Sequence, residues 1–298
     1  MRVAIIGLGL IGGSIARALA PREPGRWHVT AWSRGGAPDR ALAEGVVQAV
    51  AGTPEEALGA ADLELVVLAA APAANLGLLR RLGPLLANGT ATLTDVSSVQ
   101  RPIASAAAAV PGLRFVGGHP MAGRERRGYD AATPDLFVDR PWLVLPGPGA
   151  RDEDIARVEA LATACGARSR RIDPATHDRL VAAISHLPLV VSAALAEAVT
   201  ASPDWPAAVE LAAGGWRDTT RLARGDPDLG AGIASLNRDE ILAALDRFES
   251  ALAAWRTDLR AGDAGALAEH FERVRSALEE GAPVTGALDY PVIARAPV

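Results

Sequence analysis

Apolar residues in the first half of the chain come in short, nearly continuous runs, and stretches with helical spacing fill the gaps between them. Runs with β-strand character lie at Arg2–Ile6, His28–Trp32, 63–68, 91–94, 114–116 and 142–145. Helical patterns cover 10–20, Pro72–Leu86 and 99–109. Regular alternation of the two is how a parallel sheet with crossover helices reads, and glycines and prolines punctuate the joins.

Beyond residue 172 the pattern turns helical throughout. Asp173 and Pro174 resemble a helix start. Residues 175–200 then read as one long apolar-rich helix with Pro188 inside it, and 237–259 and Ala264–Glu280 follow with apolar residues three and four apart. Ile241, Leu245, Phe248, Leu252 and Trp255 make a stripe that either a second copy of the chain or the rest of the same chain would cover. The first alternative makes the protein a homodimer; the pattern leaves both open. The expected division is 1–172 for the mixed α/β part and 173–298 for a helical substrate-binding and dimerising part. Neither an internal repeat nor a low-complexity linker stands out.

The first strand runs directly into Gly7-Leu-Gly9-Leu10-Ile11-Gly12 and a helix. Gly7 permits a tight turn, Gly9 lets the backbone approach a pyrophosphate, and Gly12 allows close packing of helix on strand. The helix N-terminus, at Leu10 and Ile11, supplies unpaired N–H donors. Three glycines alone are weak evidence; between a strand and a helix they are strong. The fold class expected is therefore α/β, a Rossmann-type dinucleotide-binding domain followed by an all-helical domain. Folds that take NAD place an acid at the end of the second strand. Here that strand ends in Ser33-Arg34, and no acid occurs before Asp39. A serine and a guanidinium suit a 2′-phosphate, so NADP is expected over NAD.

Composition narrows the chemistry. The chain has 298 residues, 49% of them hydrophobic and 22% charged, enough for a sizeable core. A net charge of −5 argues against a nucleic-acid partner. All 30 basic residues are arginine, which excludes lysine general-base and Schiff-base mechanisms. One cysteine, Cys165, leaves no intrachain disulfide and suits a reducing compartment. With no signal peptide in view and no apolar run approaching the roughly 20 residues of a membrane span, a cytoplasmic protein with no membrane partner is expected. No metal centre is expected.

Of the five histidines, His28 and His270 sit in ordinary strand and helix contexts. His119 lies in Gly117-Gly-His-Pro-Met-Ala-Gly123 after a β-run, where ligand-facing residues of open α/β sheets collect. His186 lies in Ser185-His-Leu-Pro188, where the proline breaks the helix locally. With Asp95-Val-Ser-Ser-Val99 and Gly215-Trp-Arg-Asp-Thr-Thr-Arg221, these runs resemble the prephenate/arogenate dehydrogenases of tyrosine biosynthesis, in the family's order from Met1 to about Glu280.

The resemblance implies NAD(P)-dependent oxidative decarboxylation of a small-molecule cyclohexadiene, either arogenate or prephenate. His119 would accept the ring hydroxyl's proton, Ser98 would hydrogen-bond the same hydroxyl, and Arg221 would bind a substrate carboxylate. His186 and the His177-Asp178 pair would line or support the site. An α-helix turns about 900° over nine residues, which puts His177 and His186 on opposite faces unless the helix bends near Pro188. Three departures from the family matter. Leu189 stands where many prephenate-specific members have a second histidine, Gly230 where a tryptophan is frequent, and Gln100 where a lysine is frequent. The first two, with Ser33-Arg34, resemble NADP-linked arogenate dehydrogenases, so arogenate is expected over prephenate. A prephenate-specific enzyme and one acting on an amino-substituted prephenate analogue remain alternatives. No fused chorismate mutase and no regulatory ACT domain are expected, so tyrosine inhibition would act at the substrate site. A 3-hydroxyacid dehydrogenase would need a catalytic lysine. A non-catalytic dinucleotide sensor would have no use for His119, Ser98 and Arg221 together.

Overall fold

The computed structural model describes residues 1–20, 26–124, 126–147 and 149–281. Two compact units result, Met1–Ala244 and Leu245–Val298.

The first unit is built on a five-stranded, wholly parallel sheet of β1 (Arg2–Ile6), β2 (His28–Trp32), β3 (Ala49–Val50), β4 (Leu65–Leu68) and β5 (Thr92–Asp95), in the order β3-β2-β1-β4-β5. Strand β4 is buried at every position, as expected of a central strand covered on both faces. The crossovers are α1 (Leu10–Leu19), α2 (Ala37–Ala43), α3 (Pro72–Leu86) and α4 (Arg101–Ala108). Two apolar clusters sandwich the sheet. Ile5, Ile15, Val67 and Trp142 belong to one face, and Ile6, Leu68, Leu79 and Leu93 to the other.

The β-like runs at 114–116 and 142–145 fall outside this parallel sheet. Strands β6 (Val116–Pro120), β7 (Pro141–Pro146) and β8 (Arg168–Arg171) form a second sheet in which β7 runs antiparallel to β6 and parallel to β8. A single parallel bridge, Leu93 to Phe115, joins it to β5. Strand β8, Arg-Ser-Arg-Arg, is exposed throughout and carries no apolar signal. Helix α5 (Asp152–Ala164) precedes it and buries Ile155, Val158 and Leu161. Asp154, fully buried on α5, accepts hydrogen bonds from Thr92 and from Arg114 (2.8 Å), fastening the starts of β5 and β6 to that helix.

The long helix expected at 175–200 is not uniform. Asp173 caps α6 (Pro174–Val181) through the N–H groups of Ala175 and Thr176. A π turn spans Ala182–His186, and α7 (Leu187–Thr200) continues from it. Together they make 27 residues, and an 18-residue stretch within them has a mean hydropathy of 1.7, enough by length and composition alone to cross a bilayer. However, the helix carries His177, Asp178 and His186, all buried and all bonded to other polar groups, so we read it as part of the folded unit. Short helices α8 (Trp205–Ala208), α9 (Gly214–Thr219) and α10 (Pro227–Leu236) follow, and α11 (Arg238–Ala261) begins within this unit. Helix α7 is the most apolar in composition, yet only Ser192 is fully buried along it.

The second unit holds the rest of α11 and α12 (Ala264–Glu280), capped by Asp263. His270 stacks on Trp255 with ring centroids 3.9 Å apart and bonds Asp258 at 2.7 Å, a structural arrangement as expected. Of the stripe on α11, Ile241 is buried but Leu252 is 45% exposed, so the described chain does not cover it throughout.

Candidate active site

The turn after β1 meets each requirement of a dinucleotide cradle. Gly7 has φ +108°, and a Cβ there would lie 2.8 Å from the Ala69 backbone. A Cβ on Gly12 would collide with the Gly7 carbonyl at 1.9 Å, so Gly12 sets the helix–strand approach. Around Gly9 a Cβ would meet nothing within 4 Å, which leaves backbone open to a ligand. No side chain caps α1 and no acid sits in its first turn, so its N–H donors point outward with the positive end of the helix dipole.

A cavity of about 660 Å³ opens there. Gly7, Gly9, Leu10, Ile11, Ser33 and Arg34 line it, as does the Ala69–Ala71 wall after β4. Arg124, Arg126, Arg127 and Arg224 add four guanidiniums that the sequence did not single out; among the described residues Asp226 is the one acid in the lining, and it pairs with Arg127 at 2.7 Å. The cavity sits where strand order reverses between β1 and β4, the usual place for a nucleotide in such sheets. A dinucleotide's phosphates fit this donor-rich, cationic lining.

Two strands along the same carboxyl edge lies a buried polar cluster. Asn75 joins the two regions. Its Oδ1 accepts from Ala70 N–H (2.9 Å) and its Nδ2 donates to Ser97 Oγ (2.9 Å). His119 is the fourth residue of β6 rather than part of the turn after it. Its Nδ1 lies 2.8 Å from His177 Nε2, and His177 Nδ1 lies 2.7 Å from Asp178 Oδ1. The Asp178 carboxylate also accepts the backbone N–H groups of Gln100 and Arg101, both at 2.8 Å. Those two donors fix Asp178 as an acceptor. His177 therefore donates from Nδ1 and accepts at Nε2 from His119, which leaves the lone pair of His119 on Nε2. Burial, then the positive potential of His177 and His186, holds His119 well below the usual histidine range.

His186 joins this cluster although helix geometry separates it from His177. The π turn absorbs one residue, so nine residues turn as far as eight in a plain α-helix, about 800°, which leaves the two rings roughly 80° apart. The bend thus precedes Pro188 rather than arising at it. Asn237, at the end of α10, donates to the Asp178 carbonyl (2.9 Å) and bonds His186 Nδ1 (3.0 Å). Burial lowers His186 to about 4 against the pull of Asp178. Ser98 Oγ and His186 Nε2 are buried without a hydrogen bond of good geometry, which leaves both able to meet a ligand.

Asp95, fully buried, accepts from Ser97 N–H (3.0 Å), Gly118 N–H (3.3 Å) and Gln100 Nε2, yet burial still raises it to about 6. Asp95 and Asn237 were not foreseen in the sequence as members of the cluster. Arg221 stands outside this buried group: it is exposed, immediately before the turn Leu222–Arg224.

Comparison with known proteins points one way. The prephenate dehydrogenase nucleotide-binding domain matches residues 18–171, and the prephenate dehydrogenase dimerization domain matches 173–273. The chain belongs to the prephenate dehydrogenase family. It is 30% identical over 285 residues to prephenate dehydrogenase of Bacillus subtilis, covering 95% of this chain and 76% of that one. It is 31% identical over 283 residues to cyclohexadienyl dehydrogenase of Zymomonas mobilis, covering 92% and 94%. The crystal structure of Synechocystis arogenate dehydrogenase superposes with a TM-score of 0.78 at 30% identity, covering 95% of this chain and all of that one. Family membership makes the chain an oxidoreductase with a Rossmann-type nucleotide-binding domain and a helical domain of the dimerising class.

Proposed function

We propose that this protein oxidatively decarboxylates arogenate, with NADP as the favoured acceptor. The observation that carries the reading is the His119–His177–Asp178 chain beside the buried Ser98 Oγ and His186 Nε2. When bound, the nicotinamide supplies the hydride acceptor. His119 Nε2 takes the proton of the ring hydroxyl as that carbon gives up hydride. The ring's carbon–carboxylate bond then breaks, its electron pair completes the aromatic ring, and carbon dioxide leaves. His177 holds the His119 tautomer and shares the incoming positive charge, and Asp178 holds His177. Ser98 hydrogen-bonds the hydroxyl, and Arg221 takes a substrate carboxylate. Residues 1–172 hold the dinucleotide. Residues 173–298 bind substrate and form a homodimer, for which the exposed apolar surface of α7 is the supporting feature.

The cofactor reading rests on Ser33 and Arg34 at the cavity wall and on the absence of an acid at the end of β2. Arg34→Ala is expected to lower kcat/KM for NADP by roughly 10- to 100-fold, the worth of a charge-assisted hydrogen bond, and to leave NAD within about twofold. Equal kinetics with both cofactors before and after the substitution would refute it.

Substrate choice must come from the side chain, since the two candidates share the ring, hydroxyl and ring carboxylate. A keto group wants a donor, and Leu189 offers none. A Cβ on Gly230 would lie 3.9 Å from Leu189 Cδ2, so these two departures from the family adjoin each other in one apolar patch. Leaving a keto oxygen unpaired there costs about 1–3 kcal/mol. Arogenate is therefore expected to show the higher kcat/KM, and Leu189→His to move the ratio toward prephenate. The deciding assay is turnover of both substrates with NADP; comparable turnover by the unmodified protein would overturn the choice of arogenate.

A further inference from the structure

Gln100 has no role in the chemistry above, yet its side chain bonds three residues of the site and its backbone a fourth. Its Nε2 lies 2.8 Å from the Ser97 carbonyl, 2.9 Å from the Gly118 carbonyl and 3.2 Å from both Asp95 oxygens. One amide nitrogen with two hydrogens thus serves four acceptors. Its Oε1 is buried without a partner and faces Gly117, where a Cβ would come within 2.3 Å. Meanwhile its backbone N–H is one of the two that hold the Asp178 carboxylate.

We propose that Gln100 is a positioning residue for proton transfer, setting His119 from two directions through Gly118 on its strand and Asp178 behind its ring partner. This rests on the reading of His119 as the base. The side-chain amide ties the residue before His119 to the end of β5, which fixes where the imidazole starts. The backbone N–H fixes Asp178 and, through His177, where Nδ1 of the same imidazole is held. The requirement is a donor at this point, because every group around Nε2 is an acceptor. Among the described residues the Asp95 carboxyl has only neutral hydrogen-bond partners, Ser97, Gly118 and Gln100. The titratable and charged groups on the neighbouring elements are Arg101 on α4, His119 on β6, His177, Asp178 and Arg179 on α6, and His186 on the π turn.

Two variants separate donation from packing. Gln100→Met keeps approximate volume and the backbone N–H but removes the donor. Gln100→Lys restores a donor and lacks the orphaned Oε1. Expected for the methionine variant is a kcat lower by about 10- to 100-fold, the scale of a misplacement near 1 Å, with substrate KM and NADP affinity within about threefold. Expected for the lysine variant is a kcat at least about tenfold above that of the methionine variant, as rescue requires. A second readout needs no substrate: imidazole resonances of histidine-labelled protein, assigned with His119→Asn and His177→Asn. Both His119 and His177 signals should move in the methionine variant and return toward their original positions with lysine. Signals of all five histidines unchanged by methionine, or kcat within twofold of the unmodified protein, would overturn the proposal. Equal loss in both variants with NADP binding intact would overturn it too. Should the methionine variant fail to fold, retained kcat and histidine signals in the lysine variant support the proposal and their loss refutes it. A protein inactive on both substrates but showing the coupled histidine shifts would refute the proposed function and leave the positioning intact.

Discussion

Asparagine in place of His119 is expected to lower kcat by about 10²- to 10⁴-fold, the usual contribution of a positioned acid–base group. The amide still reaches toward His177 Nε2, and the dinucleotide cavity does not include this side chain, so NADP binding should persist. The pH profile gives the sharper test. His119 works as a base only when neutral, and burial with two neighbouring imidazoles holds its pKa well below 6.5. Activity governed by this group is therefore present at neutral pH and lost as pH falls through that depressed value. The asparagine variant should lack this acid-side loss in kcat/KM. Near-full activity with an unchanged profile would make His119 structural and remove the mechanism.

Asp178 is expected to fail on two counts at once. Its carboxylate accepts two backbone N–H groups at the start of α4, a buried one from Gln100 and a half-buried one from Arg101, as well as the ring N–H of His177. In Asp178→Asn the shape remains, but one amide nitrogen must face a donor. Gln100 N–H and His177 Nδ1 both bond Oδ1 while Arg101 N–H bonds Oδ2, so the amide nitrogen faces Arg101 N–H. His177 keeps only a neutral acceptor, which steadies the charge passed from His119 less well. We expect kcat lower by about 10² or more. Leaving the Arg101 N–H unsatisfied should also cost about 1–3 kcal/mol, read as a Tm lower by roughly 2–12 °C in a chain of this size. A variant that lost stability but kept kcat would show that Asp178 braces α4 against α6 without serving the histidines.

How much of this could be read from the chain depends on the distance over which each constraint acts. The glycine turn was legible because its demands are local: backbone angles at Gly7 and a helix–strand contact at Gly12. His119, His177 and His186 were each visible beside breaks or in motifs, but their partnership was not. It joins residues 58 and 51 positions apart through His119–His177 and His186–Asn237, which no periodicity encodes. Asp95 and Gln100 were visible as a motif residue and as a departure from the family, but not as partners of one another or of His119, since that pairing is made through space at a strand's carboxyl end. The Arg-Ser-Arg-Arg strand β8 lies exposed at a sheet edge and leaves no hydrophobic trace. Helix α5 did leave one, with Ile155, Val158 and Leu161 three residues apart after an acidic first turn.

The π turn at Ala182–His186 also makes this stretch tolerant of length in a way its flanks are not. Because the turn already holds one residue more than plain α winding needs, losing one there would restore ordinary spacing. Both flanks would keep their faces, His177 and His186 still about 80° apart. The same loss anywhere in α6 or α7 would swing everything beyond it by about 100° and carry His186 or the apolar face of α7 out of place. The turn is a one-residue reserve, set between the part of the helix that holds the buried His177-Asp178 pair and the part that presents its apolar surface.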